Sequence, residues 1–193
     1  INVNAAFSDG SYLRDYLAYR DLLAAGLPTP SVEPLRVQRN GTFHSVGVMI
    51  ENVDSRFLRR HHLDETGPLF KATGNGSWLT GTTGFETRNG GVLTDLAAYA
   101  NGIAPTNPNR AAYLFDHTNL PAVVNYLAAG VLGSIYNPQK NYYVFRNTRQ
   151  GEWQVIAWDR DFAYGDIWLG AGDTRYPAGG PCPTIISNER IEH

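Results

Sequence analysis

Apolar residues recur at helical spacing through "SDGSYLRDYLAYRDLLAAGLPTP", where Tyr12, Tyr16, Tyr19 and Leu23 share one face and Leu13 and Leu17 flank it. Such a stripe predicts a helix packed on a core. Ser8 or Asp9 is placed to cap its start, and Gly26 followed by Pro28 closes it. The period then changes. "VEPLRVQRNGTFHSVGVMIE" reads as two β-rich runs around Asn40-Gly41, a dipeptide that supplies the positive φ angles of a tight hairpin turn. In "DSRFLRRHHL", Asp54 opens a short helix whose Arg59, Arg60, His61 and His62 form a solvated face, because no carboxylate or third imidazole stands at metal-ligand spacing. Residues 74–91, rich in Gly, Thr and Asn, predict a loop with short strands and lack a phosphate-binding glycine pattern. Two more helices follow in "GGVLTDLAAYANGIA" and "NLPAVVNYLAAGVLG". The second opens on Asn119 and Pro121, and its Val123, Val124, Leu127, Ala128 and Val131 make it apolar nearly all round, which predicts deep burial.

The alternation in "NYYVFR" and "EWQVIAW" predicts two antiparallel strands joined through "NTRQG". A turn centred near Arg149 or Gln150 places Asn141 across from Ala157 to Asp159, where facing Cβ atoms lie about 4.5–5.5 Å apart. Asn141 and Asp159 are then expected to meet at the hairpin's open end, and Asp161 returns to the same side if the chain stays extended. One amide oxygen and one or two carboxylates at a strand terminus suit a hard divalent cation, which takes oxygen ligands and keeps water or phosphate in its other positions. An alternative stands beside it, in which Asp159 caps a turn and Asp161 pairs with Arg160, Arg146 or Arg175 at the surface. Trp158 weighs toward the first, since burying a carboxylate is costly without a partner.

Composition narrows the classes. A chain of 193 residues, 42% hydrophobic, fits one globular domain with a substantial core, and helices interleaved with antiparallel pairs make it α+β. Sixteen basic against eighteen acidic side chains leave a net charge of -2, so there is no long-range positive field to gather nucleic acid or anionic lipid. No apolar run is long enough to span a bilayer, and the lone Cys182 excludes an internal disulfide framework. "INVNAAF" reads like the middle of a strand, so the segment is expected to be cut from something longer.

Three collinear segments carry a resemblance: "INVNAAFSDGSYLRDYLAYRDLLAAGLPTP", "VGVMIENVDSRFLRR" and "KNYYVFRN" with "GEWQVIAWDRDFAYG". Together they resemble the spore-coat-H (CotH) kinase family, the last being close to its "N-Y-Y-L-Y-R…W-D-L-D-x-x-F-G" signature. The resemblance implies an atypical protein-kinase-like fold over residues 1–193, truncated at both ends and lacking N-terminal strands and C-terminal helices. It implies ATP and Mg²⁺ as cofactors, phosphate transfer to Ser or Thr of a protein substrate or coat protein, and a secreted, cell-surface or spore-coat location. By likeness Asn141 is the catalytic-loop amide that holds metal near the nucleotide, Asp159 the metal-binding acid, and Asp161 its catalytic support. Glu51 lies by likeness where adenine docks; a core-edge or surface glutamate is the alternative.

Two departures keep a second function open. Tyr136 stands where the family's catalytic acid is expected, Ser134 where another acid is often seen, and no carboxylate occurs between Asp116 and Glu152. A tyrosine, with an ordinary pKa of about 10, is a poor general base near neutrality. The nucleotide-gripping Lys is expected upstream of Ile1. The alternative is therefore a pseudokinase or structural coat module that has lost the acid. A glycoside-hydrolase pair at Asp159 and Asp161 is disfavoured, because such acids must flank a sugar ring roughly 5–9.5 Å apart and no second acidic motif is evident.

Overall fold

The structure is a computed structural model that describes residues 2–5, 9–73, 81–133 and 140–164. The chain divides into two compact units, the first drawn from Ile1–Asn52, Ala128–Asn137 and Asp159–His193, the second from Val53–Leu127 and Pro138–Trp158. Each described unit holds its own antiparallel sheet, so the molecule is mixed α+β.

In the first unit β1 (Asn2–Asn4), β2 (Val32–Arg39) and β3 (Thr42–Ile50) form a sheet in the order β1-β3-β2. Asn40 and Gly41, at φ 51° and 79°, make the two-residue turn expected between β2 and β3. Val32 lies across from Ile50, and one bulge shifts the register between Val37 and Gln38. Helix α1 (Arg14–Ala24) starts later than the sequence suggests, since the Asp9 carboxylate accepts from the backbone N–H groups of Ser11 and Arg14, both at 2.9 Å. It ends as expected. Gly26, at φ 81°, donates to the Leu23 carbonyl and Leu27 to that of Leu22, the paired bonds of a glycine-closed helix.

The buried face of α1 differs from the expected stripe. Asp15, Ala18, Tyr19 and Leu22 point inward, whereas Leu13, Leu17 and Leu23 are exposed. The apolar count alone does not describe the face, because the inward Tyr19 and Asp15 side chains accept from the backbone N–H groups of residues 159 and 160.

The second unit centres on β4 (Leu69–Ala72), β5 (Phe85–Asn89), β6 (Tyr142–Asn147) and β7 (Glu152–Ala157), in the order β5-β4-β6-β7. Tyr142 and Val144 of β6 face a cluster with Phe70, Phe85, Leu96, Tyr99 and Trp153. Tyr143 and Phe145 face a second cluster with Val53, Phe57, Leu58, Leu69 and Ile156. The alternation expected of "NYYVFR" is therefore not what marks β6: successive residues from Tyr142 to Phe145 are all buried, and a strand covered on both sides reads as an unbroken apolar run. Helix α2 (Ser55–Arg60) supplies Phe57 and Leu58 to one cluster, its N-terminus capped by Asp54 as expected. Helix α3 (Leu93–Ile103) supplies Leu96 and Tyr99 to the other.

Helix α4 (Arg110–His117) was not legible, since the Asn109 side chain makes no capping bond and no residue of the helix is fully buried. Helix α5 (Leu120–Leu132) opens as expected, with Asn119 Oδ1 accepting from the Ala122 N–H at 3.1 Å. Its expected deep burial is overturned. No residue of α5 is buried, and Val124, Leu127 and Leu132 are 59%, 49% and 78% exposed. Among the described residues Tyr126 is the α5 side chain packed on the core, so one face of the helix makes the contact and the remaining apolar side chains stay outside it.

Candidate functional site

The β6–β7 hairpin fixes the register of the candidate residues in the second unit. Gly151, at φ 76°, donates to the Asn147 carbonyl at 2.8 Å, and Asn147 Oδ1 accepts from the Arg149 N–H at 3.2 Å. Asn147 lies across from Glu152 and Tyr142 from Ala157, so the turn centres where the sequence placed it. Asn141 follows the ladder outward, and its carbonyl accepts from the Trp158 N–H at 3.2 Å. That position falls within the expected span of Ala157 to Asp159. Asn141 itself is left-handed, at φ 63°, which an asparagine tolerates at modest cost.

The chain does not stay extended past Trp158. Asp159 is left-handed at φ 54° and residues 161–162 form a turn, so the alternation that would carry Asp161 to the same side as Asp159 does not apply. What orients this turn, within the first unit, is helix α1. The Asp159 N–H donates to Tyr19 Oη at 2.9 Å and the Arg160 N–H to Asp15 Oδ1 at 2.8 Å. Arg14 Nη1 donates to the Ala163 carbonyl at 2.7 Å, and Tyr164 Oη to Asp21 Oδ2 at 2.6 Å. Side chains from two successive turns of one helix therefore hold the backbone at residues 159, 160 and 163 and the side chain of Tyr164.

The electrostatics follow from burial. Asp15 is 2% exposed and its carboxyl is pushed up to about 7, first by loss of solvent and then by the nearby charges of Asp161 and Asp159. The Arg160 N–H and guanidinium oppose that rise. Burial also drives the Tyr19 phenol well above its ordinary value, so Tyr19 stays a neutral hydroxyl. Arg160 is buried, and Asp161 is half-buried with Oδ1 shielded from solvent. Three acids and a guanidinium thus lie close enough to influence one another, with Asp15 and Arg160 buried and Asp159 and Asp161 half-buried.

Glu51 comes directly after β3. Its Oε2 accepts from the Ser31 N–H, and its own N–H donates to the Ser31 carbonyl, both at 2.9 Å. This ties the open end of the β2–β3 pair. Tyr136, Ser134, Arg175 and Cys182 lie outside the described residues. Sequence reasoning missed Asp15 and Tyr19 as site residues, although an acid inside the apolar half of a helix, four residues before a tyrosine, was a visible signal.

Among the described residues no group of three or more His, Cys, Asp or Glu side chains could by itself hold a metal ion. Magnesium does not ask for such a cage; it takes one or two carboxylates and fills its shell with water and phosphate oxygens. Asp159 and Asp161 are donors of that hard type. No described helix is long and apolar enough to cross a membrane.

Residues 1–185 match the family described as CotH kinase protein. Inner spore coat protein H of Bacillus subtilis (strain 168) is 26% identical over 183 residues, covering 86% of this chain and 50% of that protein. The chain spans about half the length of this curated relative.

Proposed function

The chain belongs to the CotH kinase protein family, and from that premise we propose that it is a kinase-like phosphotransferase domain of a spore-coat protein. ATP is the phosphate donor, Mg²⁺ the metal, and Ser or Thr of a coat protein or other protein substrate the acceptor. Asp159 is the proposed metal-holding acid, Asp161 its catalytic support. Asn141 and Glu51 enter on the sequence, as the second oxygen donor and as the residue near the nucleotide base. The observation that carries the reading is the fixed backbone of the Asp159 turn, held by bonds to Asp15 and Tyr19 at 2.8 and 2.9 Å. Phosphoryl transfer depends mainly on positioning and charge, so a rigidly placed carboxylate is the part such a domain must supply. Bound Mg²⁺ would offset charge on the phosphate oxygens. Asp159 and Asp161 would orient it.

The second reading is a coat module without catalysis. Tyr136 in place of the acid favours it, together with the lack of any carboxylate between Asp116 and Glu152. Full-length protein should show an ATP-induced thermal shift that requires Mg²⁺ and should incorporate labelled phosphate into acceptor protein. Asp159→Ala is expected to lose both, with transfer down about 100-fold or more. A Mg²⁺-dependent shift without transfer leaves the nucleotide-binding pseudokinase, and no shift at all leaves the coat module.

A further inference from the structure

We propose that Asp15 and Tyr19 are positioning residues for the Asp159 turn, setting the direction of the Asp159 carboxylate by holding two successive backbone N–H groups. This rests on the reading of Asp159 as the metal-holding acid. Successive N–H groups in a turn with one left-handed residue converge and form a concavity that attracts anions. Here those groups belong to Asp159, at φ 54°, and Arg160. They are taken by acceptors four residues apart on α1: Tyr19 Oη at 2.9 Å and Asp15 Oδ1 at 2.8 Å. Residues at i and i+4 stack on one helix face, so a single rigid element meets both donors.

Both acceptors are out of water, Asp15 at 2% exposure and Tyr19 also at 2%. A donor left without its acceptor there has no solvent to replace it, and the backbone would turn to find another. The left-handed residue at 159 is the one whose dihedrals would relax, since that conformation persists only where its surroundings enforce it. The clamp extends to the end of the turn through Arg14 Nη1 on the Ala163 carbonyl. None of these α1 groups needs to touch nucleotide or metal. They act through the backbone that carries Asp159.

The test uses full-length protein and Mn²⁺ with ATP, free Mn²⁺ being followed by its paramagnetic resonance signal. Amide exchange over residues 158–162 is measured on the same samples. Tyr19→Phe keeps the ring and removes the acceptor; it is expected to weaken Mn²⁺·ATP binding about 10-fold or more and to speed exchange at residues 159 and 160. Asp15→Ala should do the same. Asp15→Asn keeps an acceptor oxygen and should restore most of the affinity and protection.

Wild-type binding matched by Tyr19→Phe, and by Asp15→Ala where it folds, overturns the positioning role and leaves the metal assignment standing. An Asp15→Asn variant as weak as Asp15→Ala would trace the effect to charge and also overturn it. A wild-type protein that binds no Mn²⁺·ATP removes the Asp159 assignment, and this inference with it. If Asp15→Ala does not fold, Tyr19→Phe decides.

Discussion

Single residues decide more here than their type implies. Asp64 and Asp15 are both buried aspartates, yet their environments push them in opposite directions. The Thr148 hydroxyl donates to Asp64, and the Thr66 hydroxyl and N–H add bonds at 2.7 and 3.0 Å. These bonds, the Thr148 one foremost, hold the Asp64 carboxyl down at about 2. A carboxyl whose folded pKa lies below its unfolded value stabilises the fold above the unfolded value and loses that contribution as pH falls through the folded one. Stability from Asp64 is therefore present above about pH 4 and lost toward pH 2. Thr148→Val, which deletes the leading donor without changing shape, should move the acid-unfolding midpoint to higher pH in a circular-dichroism titration; an unmoved midpoint would remove Asp64 from the acid response. The signs reverse for Asp15. With a folded value near 7, its protonated form favours the fold, and that contribution is lost as pH rises toward neutrality.

Elements in the second unit meet where small residues permit it. A Cβ at Gly102 of α3 would overlap the ring of Tyr113 of α4, whose own ring sits edge-on to His117 at 4.1 Å. Gly102→Ala is thus expected to destabilise by about 1–3 kcal/mol, the usual cost of overpacking, measured by urea unfolding. The junction of α4 and α5 is tied down as well. Thr118 Oγ1 shares a hydrogen bond with Tyr99 Oη at 2.9 Å, and the Asn119 N–H donates to the Trp153 carbonyl at 2.8 Å. Those tertiary bonds explain how α4 forms without local capping. The sequence carried local signals for the hairpins and for α2, because Asn-Gly, Asp54 and strand alternation act within a few residues. It carried none for α4, whose partners come from α3 and β7.

At the scale of the whole molecule, apolar content and burial part company. Helix α5 is the most continuously apolar segment of the chain, yet Leu127 and Leu132 are 49% and 78% exposed, whereas Leu96 of α3 is fully buried. Leu127→Ser and Leu132→Ser should leave unfolding free energy within about 0.5 kcal/mol of wild type. Leu96→Ala should cost about 2–5 kcal/mol in the same denaturant series. A large loss for the α5 variants would mean that this face is covered in solution. Periodicity reports that a segment has an apolar face; it does not report whether enough core exists to cover all of it.

The sequence by itself determined the α+β class, both hairpins, a register that places Asn141 across from residues 157 to 159, and the family. These depend on turn chemistry, strand alternation and motif order, all of which act over short stretches of chain. Tertiary structure alone decided which face of α1 turns inward, and that Asp15 and Tyr19 hold the Asp159 turn from more than a hundred residues away. It also decided that the chain stops being extended at Asp159, so Asp161 cannot be placed by strand alternation. The physical reason is that buried backbone donors must find acceptors wherever the fold brings them, and no local pattern records which distant side chain will answer.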